Sequence, residues 1–63
     1  MNNRQITGVA YIAQIGGGIS NSEYQRIVGT SERTALRDLD DLVSKQILEK
    51  RGDKKMTRYY LLG

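Results

Sequence analysis

The run Ser20 to Lys45, SNSEYQRIVGTSERTALRDLDDLVSK, decides the fold of this chain. Ser20 followed three residues later by Glu23 is a capping box, so a short helix starts there, with Tyr24, Ile27 and Val28 on one side. Gly29 suits a left-handed C-terminal cap, and Ser31 then caps a second helix from Glu32 to about Lys45. In that helix Ala35, Leu39, Leu42 and Val43 recur at i, i+4, i+7 and i+8, which makes one apolar face. The opposite face carries Arg33, Arg37, Asp40 and Ser44. At 100° per residue Arg33 and Arg37 stand about 180° from the Leu39 side, one turn apart, near the helix N-terminus.

Working outward toward the N-terminus, Asn3 to Ile15 places Ile6, Val9, Ala10, Ile12 and Ala13 at helical spacing, with Asn2 or Asn3 as its cap. Gly8 and the β-branched Ile6, Thr7, Val9, Ile12 and Ile15 lower its helix propensity and leave a strand as the alternative. Tyr11 and Ile15 fall away from the main apolar face, so this helix is apolar nearly all round, which suits a covering partner. They are the candidate surface for a homodimer. Gly16-Gly17-Gly18 ends the helix, and Ile19 is placed to make a single-residue bridge to a sheet.

Working outward toward the C-terminus, two short strands, about Ile47 to Lys50 and Thr57 to Leu62, flank a turn of Arg51-Gly52-Asp53-Lys54-Lys55. Either Tyr60 and Leu62 or Tyr59 and Leu61 face the core. Residues 45 to 63 hold six basic and two acidic groups, against four and five in residues 1 to 44, so the positive charge gathers on this hairpin, at Lys50, Arg51, Lys54, Lys55 and Arg58. Such a localised field is the electrostatic footprint of a nucleic-acid or anionic-surface binder.

Composition removes most other functions. With no cysteine and no histidine in 63 residues, disulfides, Cys/His zinc sites and Ser-His-Asp or Cys-His catalysis are excluded. Asp38, Asp40 and Asp41 lie inside a helix and lack the glycine and distal glutamate of a calcium loop, and the triple glycine lacks the lysine of a phosphate loop. The chain is therefore expected to be no enzyme and to need no metal or cofactor. Without a membrane-length apolar run or a signal peptide, it is expected in the cytoplasm.

Helix, short helix, three-residue turn, longer helix and basic hairpin make a helix-turn-helix followed by a wing. A helix fits the major groove of B-form DNA, and residues near its N-terminus reach base edges. Arg33 and Arg37 stand where such contacts are made, and arginine bonds guanine O6 and N7 bidentately. Thr30, Ser31 and Thr34 are placed to bond phosphates beside the helix N-terminus, and Lys54 and Lys55 to bond them from the wing. Asp38, Asp40 and Asp41 would repel phosphates if they faced the duplex, so groove contact is limited to the first two turns. They read as surface charges, with Arg37 and Asp41 as an i,i+4 pair, or with Asp38 as an internal partner of Arg26 or Arg4.

The stretches Ile19 to Tyr24, Val28 to Ala35, Arg37-Asp38-Leu39, Leu42-Val43, Ile47-Leu48 and Tyr59-Tyr60 resemble the winged helix-turn-helix of prokaryotic regulators. They are similar to DeoR-type repressor heads, and more so to the small C-terminal winged helix of bacterial helicase-related or Schlafen-like ATP-binding predicted regulators and some Fic proteins. The resemblance implies that Thr30, Ser31, Arg33, Thr34 and Arg37 face DNA and that the hairpin tip, with Arg58, touches the backbone. Two residues depart from the pattern: Leu36 stands at an often basic position, and Gln46 where glycine commonly ends the helix. A left-handed Gln46 would cost about 1 kcal/mol.

The expectation is therefore one winged helix-turn-helix domain over residues 1 to 63, mostly α with a small β-hairpin, and a fragment of a longer protein. Its expected role is double-stranded DNA binding in transcription regulation. The alternative is a protein-protein or interdomain module of a larger ATP-binding protein, favoured by the modest net charge of +3, the acidic groups on the longer helix and Leu36.

Overall fold

The computed structural model describes residues 1–52 and 56–63. Three helices, α1 (Asn3–Ile15), α2 (Asn21–Val28) and α3 (Glu32–Ser44), precede an antiparallel hairpin of β1 (Leu48–Arg51) and β2 (Arg58–Leu61). This is the arrangement of a winged helix-turn-helix, mostly helical as the periodicity predicts.

Local chemistry sets the element ends. Asn2 and Gln5 form a reciprocal capping box on α1, as Ser20 and Glu23 do on α2, and Ser31 Oγ accepts the Thr34 N–H to start α3. Each box satisfies two backbone donors that have no partner within the helix. Gly29 ends α2 in the left-handed region at φ 69°, and its N–H reaches the Gln25 carbonyl. The end of α3 uses Gln46 at φ 61°, with the Gln46 N–H donating to Val43 O and the Ile47 N–H to Leu42 O. That is a Schellman motif built on glutamine where glycine fits without strain.

The core draws on every element: Ile12 of α1, Tyr24 of α2, Ala35, Leu39 and Leu42 of α3, Leu48 of β1 and Tyr59 of β2, with Ile19 from the α1–α2 connection. Ile19 exchanges two backbone hydrogen bonds with Tyr59, at 2.8 and 3.0 Å, so the bridge expected at this residue ties the α1–α2 connection to the hairpin. The strands pair Leu48 with Leu61, Glu49 with Tyr60, Lys50 with Tyr59 and Arg51 with Arg58. Tyr59 faces the core, but neither expected alternation holds, because Leu61 and Leu62 are both exposed at the open end of a two-stranded sheet. Tyr60 is half-buried over Gly18, where a Cβ would meet its ring, and it carries the Arg51 guanidinium 4.7 Å from the ring centroid.

One carboxylate ties the helices together. Asp38 of α3 is buried and accepts from Arg4 Nε at 2.8 Å, Arg4 Nη2 at 3.2 Å, Asn2 Nδ2 at 3.1 Å and the Tyr24 hydroxyl at 3.0 Å. Of the two expected partners, Arg4 is the one it meets. The Arg4 bond, helped by Asn2 and Tyr24, outweighs desolvation and holds the Asp38 carboxyl below the usual range. Burial first, and then the bond to Asp38, push the Tyr24 hydroxyl well above its ordinary value. Buried Gln5 adds bonds from Nε2 to the Asp38 carbonyl at 3.1 Å and to Asp41 Oδ2 at 2.9 Å.

Candidate nucleic-acid interface

The Asp38 cluster orients α3, and Gly29, Thr30 and Ser31 separate it from α2. With Ala35, Asp38, Leu39 and Leu42 turned inward, the outward face holds Arg33, Leu36, Arg37, Asp40 and Ser44, all exposed. Arg33 and Arg37 lie one turn apart at the start of the helix, and among the described residues neither forms an ion pair. Two exposed guanidinium groups can each present a bidentate fork.

The acidic groups that could oppose this face are partly withdrawn. Asp38 points inward to Arg4. Asp41 is held below the usual carboxylate range by the Gln5 side chain and then by Lys45, whose Nζ lies 3.0 Å away, so the expected Arg37–Asp41 pair does not form. Asp40 remains on the outward face, and Glu32 is exposed in the first turn.

The other expected contacts separate into three groups. Ser31 and Thr34 bond to each other at 3.2 Å as part of the cap, and half-buried Thr30 sits in the turn with its N–H on the Gln25 carbonyl. These three surround the N-terminus of α3, where the helix dipole favours an anion. Arg58 leans toward α2 with its side chain still 43% exposed: its Nη2 donates to the Gly18 carbonyl at 2.8 Å and to Glu23 Oε1 at 2.9 Å. These bonds clamp the hairpin onto the start of α2 from residue 58, which faces Arg51 in the last strand pair before the turn. Glu23 accepts there with its carboxyl held low, first by the Ser20 N–H and further by Arg58. Lys54 and Lys55 lie outside the described residues.

Lys50, a cation of the basic hairpin, is exposed on β1. It lines an open groove of about 390 Å³ between the start of α2, the flank of α3 and the hairpin, together with Ser20, Asn21, Ser22, Leu36, Thr57 and Tyr59. Sequence spacing could not find this groove, since it joins residues nearly forty positions apart. Tyr11 and Ile15 are exposed by 40% and 48%, and Tyr11 borders a second groove with Glu23, Arg26 and Ile27 of α2. Among the described residues no helix is long and apolar enough to cross a membrane.

No family model matches the chain, and no curated protein is found to be related to it. Among solved structures it is similar to the crystal structure of the DIP2311 protein from Corynebacterium diphtheriae, with a TM-score of 0.84 and 22% identity. The likeness covers 94% of this chain and 10% of that one, so this chain spans about a tenth of that protein's length. At that identity the likeness speaks to the fold alone.

Proposed function

We propose that this chain is a double-stranded DNA-binding module that lays α3 in the major groove and serves transcription regulation. The observation that carries the reading is the exposed placement of Arg33 and Arg37 at the N-terminal end of α3, without an ion pair among the described residues and with Asp38 and Asp41 engaged elsewhere. Arginine at that position reaches guanine O6 and N7, each good bidentate contact being worth about 1–3 kcal/mol of discrimination. Thr30, Ser31 and Thr34 supply phosphate contacts at the helix start, and Lys50 together with Lys54 and Lys55 supplies them from the wing. Arg58 acts as a positioning residue that holds the wing to α2. A similar unit within the longer DIP2311 chain supports the view that such a domain works as one part of a larger protein.

Retention on a duplex-DNA column at low salt tests this. The wild type is retained and elutes early as salt rises, because much of the affinity comes from released counterions. The double variant Arg33→Ala, Arg37→Ala elutes at clearly lower salt with an unchanged melting temperature. Equal retention of both proteins overturns the groove reading. Retention of neither favours a protein-protein or interdomain module, the role suited to exposed Leu36, Tyr11 and Ile15. Sedimentation of the bound complex then counts one copy per site, or two if Tyr11 and Ile15 join a homodimer.

A further inference from the structure

The outward side of α3 holds one residue that neither the core nor charge explains. Leu36 is 45% exposed, while the core beneath it is closed by Ala35, Leu39 and Leu42, all at 0%. By helix geometry it lies about 60° around the axis from Arg33 and one turn further on, toward the groove between α2 and the hairpin. In that groove Leu36 is the apolar wall, and the rim is Ser20, Asn21 and Ser22 at the start of α2 with Lys50 and Tyr59 of the hairpin. No carboxylate lines it among the described residues, and Lys50 is its one charged group there.

We infer that Leu36 is a specificity-determining contact, seating the 5-methyl group of a thymine beside the bases met by Arg33 and Arg37. The inference rests on the DNA-binding reading above and deepens it. In the major groove the thymine methyl is the apolar feature of the base edges, and apolar side chains read it by contact. The same strand carries phosphates next to that base, and hydroxyls, a helix N-terminus and a lysine form the matching surface around Leu36. An apolar spot inside a cationic, hydroxyl-rich rim complements a duplex edge better than a protein surface, which would bring an apolar patch without the anions that Arg33, Arg37 and Lys50 call for.

The test is selection of duplexes from a random library by the intact wild-type chain and by Leu36→Ala, with melting curves to verify that both fold. Wild-type duplexes are expected to share a thymine at one position, and Leu36→Ala is expected to lose that preference while keeping a neighbouring guanine. Replacing the shared thymine by deoxyuridine deletes only the methyl group. It should weaken wild-type binding about fourfold, the effect of one buried methyl, and leave Leu36→Ala unchanged. If duplexes are selected but the thymine persists in Leu36→Ala, or deoxyuridine has no effect on the wild type, the thymine contact is wrong and DNA binding stands. If the wild type binds no duplex at all, both readings fall.

Discussion

Helices α1 and α3 have the same length of 13 residues and opposite logic. In α3 the apolar residues other than Leu36 fall on one stripe, and the exposed Glu32, Arg33, Arg37 and Asp40 make the other side charged. In α1 the exposed residues are Asn3, Ile6, Thr7, Ala10, Tyr11, Ala13, Gln14 and Ile15, none of them charged, while glutamine and glycine are buried beside Ile12. A helix whose inward face holds Gln5, Gly8 and Ile12 is specified by what it meets rather than by its own amphipathicity. Gln5 meets the Asp38 carbonyl and Asp41, and Gly8 meets the Tyr24 ring. The comparison teaches that one of two equal helices is written in its periodicity and the other in its neighbours.

The sharpest break in that contrast is Asp38→Ala, which removes the acceptor through which α3 holds both α1 and α2. The buried Tyr24 hydroxyl alone, left without a partner, should cost about 1–3 kcal/mol, and urea unfolding should show a lower midpoint. The same carboxylate gives a pH signature. Its folded pKa is depressed, so the unfolded chain takes up the proton first; stability is complete above the ordinary aspartate value of about 4 and declines as pH falls below it. Urea midpoints between neutral pH and pH of about 3 should fall for the wild type and fall less for the Asp38→Ala variant.

Gly8→Ala tests whether α1 follows propensity or packing. In an exposed helix interior the change stabilises by about 1 kcal/mol. Here the added Cβ would run into the Tyr24 ring within a closed core, so the variant should instead lose about 1–3 kcal/mol in thermal or chemical unfolding. A stabilised variant would mean that α1 sits less tightly on α2 than its buried glycine indicates.

The smallest effect concerns the end of α3. Gln46→Gly should raise stability by about 1 kcal/mol, because glycine takes the left-handed backbone without a Cβ penalty and keeps both Schellman hydrogen bonds. A higher melting temperature with unchanged DNA retention would separate this stability feature from the binding face.

Much of the fold was legible because its signals are local. The Ser20–Glu23 box, Gly29, the Ser31 cap and the apolar stripe of α3 each act within about one helical turn, so spacing alone places α2, α3 and the turn between them. The candidate interface was legible in part for the same reason: the periodicity that buries Leu39 also exposes Arg33 and Arg37.

Other features depended on residues far apart in the chain. Which of three aspartates turns inward, which arginine it meets, and which carboxylate Arg58 clamps are set by contacts across more than thirty positions. Charge and hydrogen-bonding capacity are visible in any one residue, but a partner is a matter of distance in space. The sequence by itself therefore determined the helices, the turn and the exposed arginine face. The folded arrangement assigned the polar side chains to one another and brought Leu36, Lys50 and the start of α2 around a single groove.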